Sequence, residues 1–422
     1  MTLKSLRGVV TAVAILSAAA MVAKDYTVSI AKNVTLIYAA NTTSKIARIK
    51  GFVDENATPK SSITIPETIK HEAGGKTYDL KVTIIGENAF LFAKFTKITL
   101  PNTVTTIGED AFSSAELKTI TLPSSLETIG KEAFYDTRLT TISIPPKVKS
   151  IGELAFWASS LKSIEFQPGV DITIDEGAFY ATRLEQLDIP VRVKKISGNL
   201  CRDTETLTSI SLPSHITEIP ASMCAGCTAL TNVNFQNGIT KIGAQAFMDC
   251  INLKEFWFPT TLQTIEHHAF NNCAFEYLNL ATTQISKIEG WAFMSNDGLK
   301  SVSLPKTLTW VGSEAFAHCP QISRVDCDAV TPPQIYDDVF DAIVYKNASP
   351  WVPQNSVDAY RAAQGWKLFD WSSYPAAVTD IVTDQTPGTV EYYDLQGRRL
   401  EREPQEGLYI RVADGRARKL CR

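Results

Sequence analysis

The chain has 422 residues, of which 44% are hydrophobic and 20% charged, which excludes an intrinsically disordered polypeptide and allows a large buried core. Its 41 Lys and Arg residues and 45 Asp and Glu residues give a net charge of −4, with no block of like charge. We therefore expect no nucleic-acid partner.

The first 23 residues have the pattern of a secretory signal peptide. Lys4 and Arg7 precede an apolar run at 8–20, and Ala18 and Ala20 are small residues of the kind that signal peptidase requires. The run is shorter than a comfortable membrane span, and a retained anchor is the alternative interpretation. No other segment approaches transmembrane length, so we expect no stable membrane span in the mature chain.

A repeat of 22 to 24 residues begins after a segment, 24–60, whose Thr, Val, Asn and Ile content predicts an N-terminal β cap. One recurring phrase is Ile-Gly-x-x-Ala-Phe, which starts at Ile85, Ile107, Ile129 and Ile151 and continues in looser form to Ile335. A second phrase, Leu-x-x-Ile-x-Leu-Pro, lies between the copies of the first. Its alternation of apolar and polar residues predicts a strand that the proline ends.

One copy of the repeat cannot fold alone, because about six apolar side chains do not offset the entropy lost on ordering some 23 residues. Stacking lets each copy cover the apolar face of its neighbours and lets their strands pair. The sequence therefore predicts a solenoid over 61–345, with about 11 or 12 repeats.

Both phrases resemble those of the BspA-like, or Treponema pallidum-type, leucine-rich repeat proteins, and the resemblance covers about residues 60–370. It implies a leucine-rich repeat solenoid: a β-rich, right-handed, curved stack of coils with one long parallel sheet, capped at both ends. Gly74 and Gly75 predict a hairpin turn in an early insertion. The stretch 351–366 is similar to the closing segment of such arrays, so 346–370 is expected to form a C-terminal cap with a short helix, whose N-cap is Ser356.

The last 52 residues carry two further predictions. Residues 371–390, rich in Ser, Thr, Pro and Gly, are expected to be a linker. Residues 391–422 resemble the C-terminal sorting segments of secreted Bacteroidetes proteins, which implies a chain secreted by, or displayed on the surface of, a Gram-negative bacterium. A small strand pair without a sorting role is the alternative interpretation of this tail.

The cysteines and histidines predict no catalytic, metal or cofactor site. Six cysteines fall in repeat register, which predicts buried thiols in small apolar positions, with an occasional disulfide between neighbouring coils as the alternative. The adjacent His267 and His268 occupy variable positions and are expected to be solvated. No zinc-ligand spacing, nucleophile elbow or phosphate-binding glycine loop is present in the sequence. The six cysteines are Cys201, Cys224, Cys227, Cys250, Cys273 and Cys319.

The outward positions of the predicted strands form columns of mostly small polar residues, and one place departs from this pattern. There Trp257, Tyr277 from the next coil and Glu255 put large aromatic rings beside an acid. Exposed aromatic residues on a rigid sheet are typical contact anchors. The alternative is that Trp257 folds over its neighbours as surface packing.

A second aromatic column, on the opposite and turn-bearing side, consists of Tyr135, Trp157 and Tyr180. These rings either contact a sugar or protein, or stack on each other as partial core. The resemblance implies a non-enzymatic recognition or adhesion protein that binds a host extracellular protein. A carbohydrate-binding surface protein that uses the aromatic columns, and an inert spacer, are the alternative functions.

Overall fold

A computed structural model describes residues 24–31, 34–54, 61–372, 374, 391–393, 399–400, 408–413 and 416–421. The predicted signal peptide and nearly all of the predicted linker lie outside these residues. The described residues divide into two compact units, one with those up to Leu184 and Arg192–Lys195, and one with Glu185–Val191 and those from Ile196 onwards. Both units contain β-solenoid turns with parallel sheets, about twelve turns in all, which confirms the predicted fold class.

The first unit opens with strands that extend the solenoid sheet at its N-terminal side. The first strands of this unit are β1 (Asp25–Ala31), β2 (Val34–Asn41), β3 (Ile46–Phe52), β4 (Ser62–Thr64), β5 (Thr68–Ala73) and β6 (Lys76–Ile85). Strand β2 is antiparallel to both β1 and β3, and β3 runs parallel to β6. Strands β5 and β6 form a hairpin through Gly74 and Gly75, at φ values of 59° and 72°, so the predicted turn is confirmed.

The turns of the first unit contribute two rows of short parallel strands. The row at the Ile-Gly phrase continues the sheet of β1–β3 and β6. Its strands are β8 (Thr106–Ile107), β10 (Thr128–Ile129), β12 (Ser150–Ile151), β14 (Ile172–Ile174) and β16 (Val193–Ile196). The row at the Leu-Pro phrase, which the sequence predicts, contains β7 (Lys97–Thr99), β9 (Thr119–Thr121), β11 (Thr141–Ile144) and β13 (Ser163–Phe166). It forms one sheet in the order β4-β7-β9 and a second sheet of β11 and β13.

The second unit has the same two rows. The Ile-Gly row is one six-stranded sheet of β18 (Glu218–Ile219), β20 (Lys241–Ile242), β21 (Thr264–Ile265), β23 (Lys287–Ile288), β25 (Trp310–Val311) and β27 (Gln334–Ile335). The Leu-Pro row is interrupted and forms two sheets. The first has β15 (Gln186–Asp188), β17 (Ser209–Ser211) and β19 (Asn232–Asn234), and the second has β22 (Tyr277–Asn279), β24 (Ser301–Leu304), β26 (Arg324–Cys327) and β28 (Ser349–Trp351).

The repeat register brings identical residues of successive turns into contact. Strand β10 pairs with β12 so that Ile129 lies opposite Ile151. The phenylalanines of the Ala-Phe phrase stack in the same way, with the Phe112 and Phe134 rings 5.3 Å apart and 5° from parallel. Apolar residues of the repeat therefore form continuous buried columns, as stacking requires.

The turns that carry the repeat phenylalanines from Phe90 to Phe316 each have two left-handed residues, four positions apart, a feature that the sequence did not predict. In one turn these are Asp110 and Ser114, at φ values of 51° and 53°. Their N–H groups, and that of Phe112, donate to carbonyls of the next turn at distances of 2.7–3.0 Å. The left-handed residues therefore help to join the turns into a stack.

Two short helices, α1 (Ala342–Asn347) and α2 (Val357–Ala362), follow the last Ile-Gly strand of the second unit. Tyr360 of α2 and Trp366 are among the largest fully buried side chains. Ser356 lies at the N-cap position of α2, as predicted, but its side chain makes no cap hydrogen bond. It ends a 3-10 turn (Gln354–Ser356) with helical backbone angles, and its N–H donates to Pro353 O at 2.8 Å.

The tail predicted at 391–422 contains a four-stranded antiparallel sheet rather than a strand pair, in the order β30-β29-β31-β32. Its strands are β29 (Glu391–Tyr393), β30 (Arg399–Leu400), β31 (Leu408–Ala413) and β32 (Arg416–Cys421). Across the described parts of the chain, none of the helices has both the length and the apolar character needed to cross a membrane.

Candidate functional site

The aromatic pair predicted on the strand face of the second unit is exposed to solvent. Trp257 is 52% exposed and Tyr277 is 66% exposed, and Glu255 is also exposed. The Trp257 ring lies 5.6 Å from the Phe235 ring at a tilt of 35°, so part of the ring packs on the previous turn. Trp257 therefore combines both features considered from the sequence, an exposed ring and surface packing.

The segment 254–258 that carries Trp257 interrupts the Leu-Pro row of strands. It forms no strand, so β19 and β22 are the edge strands of their sheets. Phe256 stands where other copies have Ile, Val or Leu, and its ring packs 4.9 Å from those of Phe258 and Phe270. A ring is wider than an aliphatic side chain, and we attribute the local loss of strand pairing to this substitution.

A groove of about 600 Å³ lies between β19 and the interrupted segment. Asn232, Val233 and Asn234 of β19 line it, together with Lys254, Glu255 and Trp257 of the interrupted segment. The sequence pointed to Glu255 and Trp257 but not to this groove, because a repeat pattern does not tell where a strand fails to pair.

Tyr277 contacts a cation of the following turn. The Lys300 Nζ lies 5.7 Å from the centre of the Tyr277 ring and 2.7 Å from Glu276 Oε2. The ion pair with Glu276 and the tyrosine both raise the pKa of the Lys300 ammonium. Because Lys300 lies over one face of the Tyr277 ring, a binding partner can contact less of that face than the exposed fraction of the side chain suggests.

The second aromatic column, in the first unit, is half-buried and stacked on itself. The ring centres of Tyr135 and Trp157 are 4.6 Å apart, and those of Trp157 and Tyr180 are 5.8 Å apart at an angle of 11°. The ring faces are turned towards one another, so a ligand would meet mainly their edges and the two ends of the stack.

The six cysteines in repeat register are buried and carry free thiols, as does Cys327. Their positions are not simply apolar, because several thiols donate to main-chain carbonyls of the preceding turn. Cys273 Sγ lies 3.2 Å from Phe247 O, and Cys319 Sγ lies 3.3 Å from Phe293 O. Asn296 occupies the same repeat position and donates to Phe270 O at 3.0 Å. In these turns the position three residues after the phenylalanine holds a small hydrogen-bond donor, whereas Cys201 and Cys224 occupy the phenylalanine position itself.

Burial also makes these thiols unreactive. Desolvation raises the pKa of Cys319 from 9.0 to about 12 and that of Cys327 to about 11. Because the thiolate is the reactive form, both side chains stay protonated at neutral pH. The contribution of Cys319 to stability is complete below pH 9 and declines as the pH rises towards 12.

We therefore predict that the folded protein does not react with a maleimide at about pH 8. A Cys421→Ser background removes the remaining cysteine, and mass spectrometry counts the modified thiols. Seven thiols should react after unfolding in urea. Rapid modification of the folded protein, or fewer than seven reactive thiols in the unfolded chain, would contradict the burial or the free state described above.

The adjacent histidines differ from each other, which corrects the prediction of a solvated pair. His267 is exposed, with Nδ1 3.5 Å from Glu289 Oε2. His268 is half-buried and stacks on Trp291 at 5.0 Å and 6°, and Asn271 Nδ2 lies 3.2 Å from its Nδ1. Desolvation, and secondarily His267, lower the pKa of His268. Among the described residues, no three His, Cys, Asp or Glu side chains are grouped to hold a metal ion.

Comparison with known proteins identifies the repeats. Residues 83–208 and 217–343, more than half of the chain, match the model of the BspA type leucine rich repeat region in six copies. The comparison with curated proteins found no significant match.

The comparison with solved structures found bacterial proteins, of which the first described here shares the fold. The pneumococcal vaccine antigen PcpA is 20% identical, with a TM-score of 0.55 over 80% of this chain and 96% of that one. A leucine rich cell surface protein of Faecalibacterium prausnitzii is 20% identical, with a TM-score of 0.42 over 82% and 99% of the two chains. The leucine rich repeat protein of T. pallidum is 22% identical, with a TM-score of 0.36 over 52% and 87%.

Proposed function

Because the chain belongs to the BspA-type leucine-rich repeat proteins, we propose that it is an exported recognition protein that binds a host extracellular protein through its strand face. The family suggests protein binding or adhesion at the cell surface in general, and its solenoids are typically non-enzymatic. The fold itself does not name a ligand, so the proposal for this chain depends on its exposed side chains.

The exposure of Trp257 and Tyr277 is the observation that carries this proposal. The rings are 52% and 66% exposed on a face where most equivalent positions hold small polar residues. Large aromatic side chains on a rigid backbone are enriched among the residues that dominate the energy of protein interfaces. Asn234 and Asn279, in the same column, supply hydrogen-bonding groups around them.

Export and surface display complete the proposal. The pattern of residues 1–23 supports secretion, and the similarity of 391–422 to sorting segments supports display on a Gram-negative cell. A cap role for 24–60 and 346–370 is part of the same proposal, since the ends of a solenoid otherwise expose unpaired strand edges.

We predict that the purified protein binds immobilised host extracellular-matrix proteins in a saturable manner. The double variant Trp257→Ala, Tyr277→Ala should bind at least about tenfold more weakly, because truncated hot-spot aromatics typically cost 2 kcal/mol or more. Surface plasmon resonance measures both affinities. Phe92→Ala is the matched control, since Phe92 is 60% exposed and does not belong to the strand-face columns.

If none of the matrix proteins binds in a saturable manner, the proposed function is contradicted. Binding to a glycan array that is lost in Trp157→Ala would instead favour the carbohydrate alternative. The mutual stacking of Tyr135, Trp157 and Tyr180 makes this alternative the weaker one, because a sugar usually needs an open ring face.

A further inference from the structure

An arrangement of an acid, an aromatic ring and a cation occurs on the strand face of the second unit. In its first copy, Lys300 Nζ lies 2.7 Å from Glu276 Oε2 and 5.7 Å from the centre of the Tyr277 ring. The acid neutralises the ammonium while the electron-rich face of the ring attracts it.

The arrangement recurs near the last strand of the same row. Arg324 Nε lies 2.8 Å from Asp326 Oδ1, and the guanidinium carbon lies 5.1 Å from the centre of the Trp351 ring. Tryptophan is the best aromatic ring for a contact of this type, and arginine is the cation found in it more often. Two different sets of residues therefore produce the same three-part contact on one face.

Glu255 and Trp257 provide the acid and the ring of a third copy. Both line the groove beside β19, and the ring is 52% exposed. Among the described residues, no Lys or Arg forms an ion pair with Glu255 or lies over the Trp257 ring. Lys254 also lines the groove, but it forms no ion pair with Glu255. Its charge acts on Glu276 of the next turn, whose pKa is lowered by Lys300 and secondarily by Lys254.

The opposite wall of the groove is a strand edge. Asn232 N donates to Thr208 O at 3.2 Å, and Asn234 O accepts from Leu212 N at 2.8 Å, so both residues direct these groups towards β17. The N–H and C=O groups of Val233 then point the other way, towards the segment 254–258 that bounds the groove, because successive residues of a strand alternate in direction. Within the described chain no strand pairs with this edge of β19.

We propose that this groove binds an extended, basic segment of a partner polypeptide. The partner's main chain pairs with β19 at Val233, and an Arg or Lys side chain lies over the Trp257 ring and pairs with the Glu255 carboxylate. The charge requirement follows from the two complete copies, in which the same combination of acid and ring holds a cation. This inference rests on the proposed function and gives its partner a specific chemistry.

The test uses a fluorescein-labelled peptide, Thr-Val-Thr-Arg-Thr-Val-Thr, whose ends are blocked, and measures fluorescence anisotropy with the full chain at low salt. Two further probes are the same peptide with citrulline in place of Arg, which removes only the charge, and a version with alternate N-methyl amides, which cannot pair as a strand. The protein variants are Glu255→Gln, Trp257→Ala and, as a control, Glu185→Gln. Glu185 is an exposed acid of the same unit that does not line the groove.

We expect the Arg peptide to bind the unaltered chain with saturation. Binding should weaken about tenfold or more with Trp257→Ala and roughly threefold with Glu255→Gln, and should be unchanged with Glu185→Gln. Glu255→Gln should not affect the citrulline peptide, and the methylated peptide should not bind. Circular dichroism of each variant verifies that it folds, and Glu255→Gln, at an exposed position, keeps the test independent of any folding defect in Trp257→Ala.

The proposal is overturned if the Arg peptide shows no saturable binding up to about 1 mM. It is also overturned if citrulline or N-methylation leaves the affinity unchanged, or if Glu255→Gln weakens both peptides equally. Matrix-protein binding that persists unchanged in Glu255→Gln and Trp257→Ala would refute this site, and would leave host-protein binding in place only through another part of the strand face. Binding of the peptide without binding of any matrix protein would support this site and refute the proposed function.

Discussion

Replacement of Phe134 by alanine is expected to lower the free energy of unfolding by about 3–5 kcal/mol. Phe134 is fully buried, and its ring stacks between Phe112 at 5.3 Å and Phe156 at 5.2 Å, within 5° of parallel to both. The change removes the contacts to both neighbouring turns at once and leaves a cavity between them. Because stability in a solenoid is mostly nearest-neighbour, three turns should lose stability together.

Urea unfolding monitored by circular dichroism measures this effect. Phe92→Ala is the matched control, since it makes the same chemical change at a side chain that is 60% exposed, and it should shift stability by less than about 0.5 kcal/mol. Similar shifts for Phe134→Ala and Phe92→Ala would show that the stacked column does not stabilise the first unit.

Gly130→Ala should destabilise the first unit by about 3 kcal/mol, the upper part of the range for overpacking. A β-carbon at this position would lie 2.6 Å from the carbonyl carbon of Gly108 and 2.8 Å from the nitrogen of Glu109. Both contacts are with backbone of the preceding turn, so no side-chain rotation relieves them. The Ile-Gly phrase therefore needs glycine for close approach between turns, and φ at Gly130 is not in the left-handed region.

Gly298→Ala is the control for this prediction. A β-carbon there would have Phe275 O as its nearest neighbour, at 3.8 Å, which is ordinary contact. The substitution should leave stability unchanged or raise it by up to about 1 kcal/mol, because alanine restricts the unfolded chain. Thermal and urea unfolding measure the change in the free energy of unfolding for Gly130→Ala and for Gly298→Ala. Equal destabilisation by the two substitutions would refute the close-approach explanation.

The repeat pattern predicted the strand register because each copy carries the same inward residues. A slip of one residue would turn a strand's apolar side chains to solvent, so Ile129 opposite Ile151 is the only favourable pairing. The same reasoning places Trp257 and Tyr277 on the outer face, where the structure has them exposed. Local sequence is sufficient for these features because they depend on the period of the pattern.

Other features could not be predicted because they depend on how neighbouring turns differ. The buried Arg192 is an example, since its guanidinium donates to the carbonyls of Val170 at 3.1 Å, Pro145 at 3.3 Å and Ile144 at 3.4 Å. An arginine in a loop between strands gives no sign in the sequence that it will be enclosed. The stacking of His268 on Trp291 is similar, because the two rings are 23 positions apart in the chain.

The sequence alone determined the solenoid architecture, the alternation of buried and exposed columns and the location of the aromatic candidates, because a period of 22 to 24 residues is encoded in every copy. Only the tertiary structure decided which exposed pairs of an acid and an aromatic ring contact a Lys or Arg of the same chain and which pairs do not. Lys300 forms an ion pair with Glu276 and lies over the Tyr277 ring, whereas Glu255 and Trp257 line a groove beside an unpaired strand edge. The physical reason is that charge pairing and strand pairing act between turns, and therefore depend on distances that the order of residues within one copy does not contain.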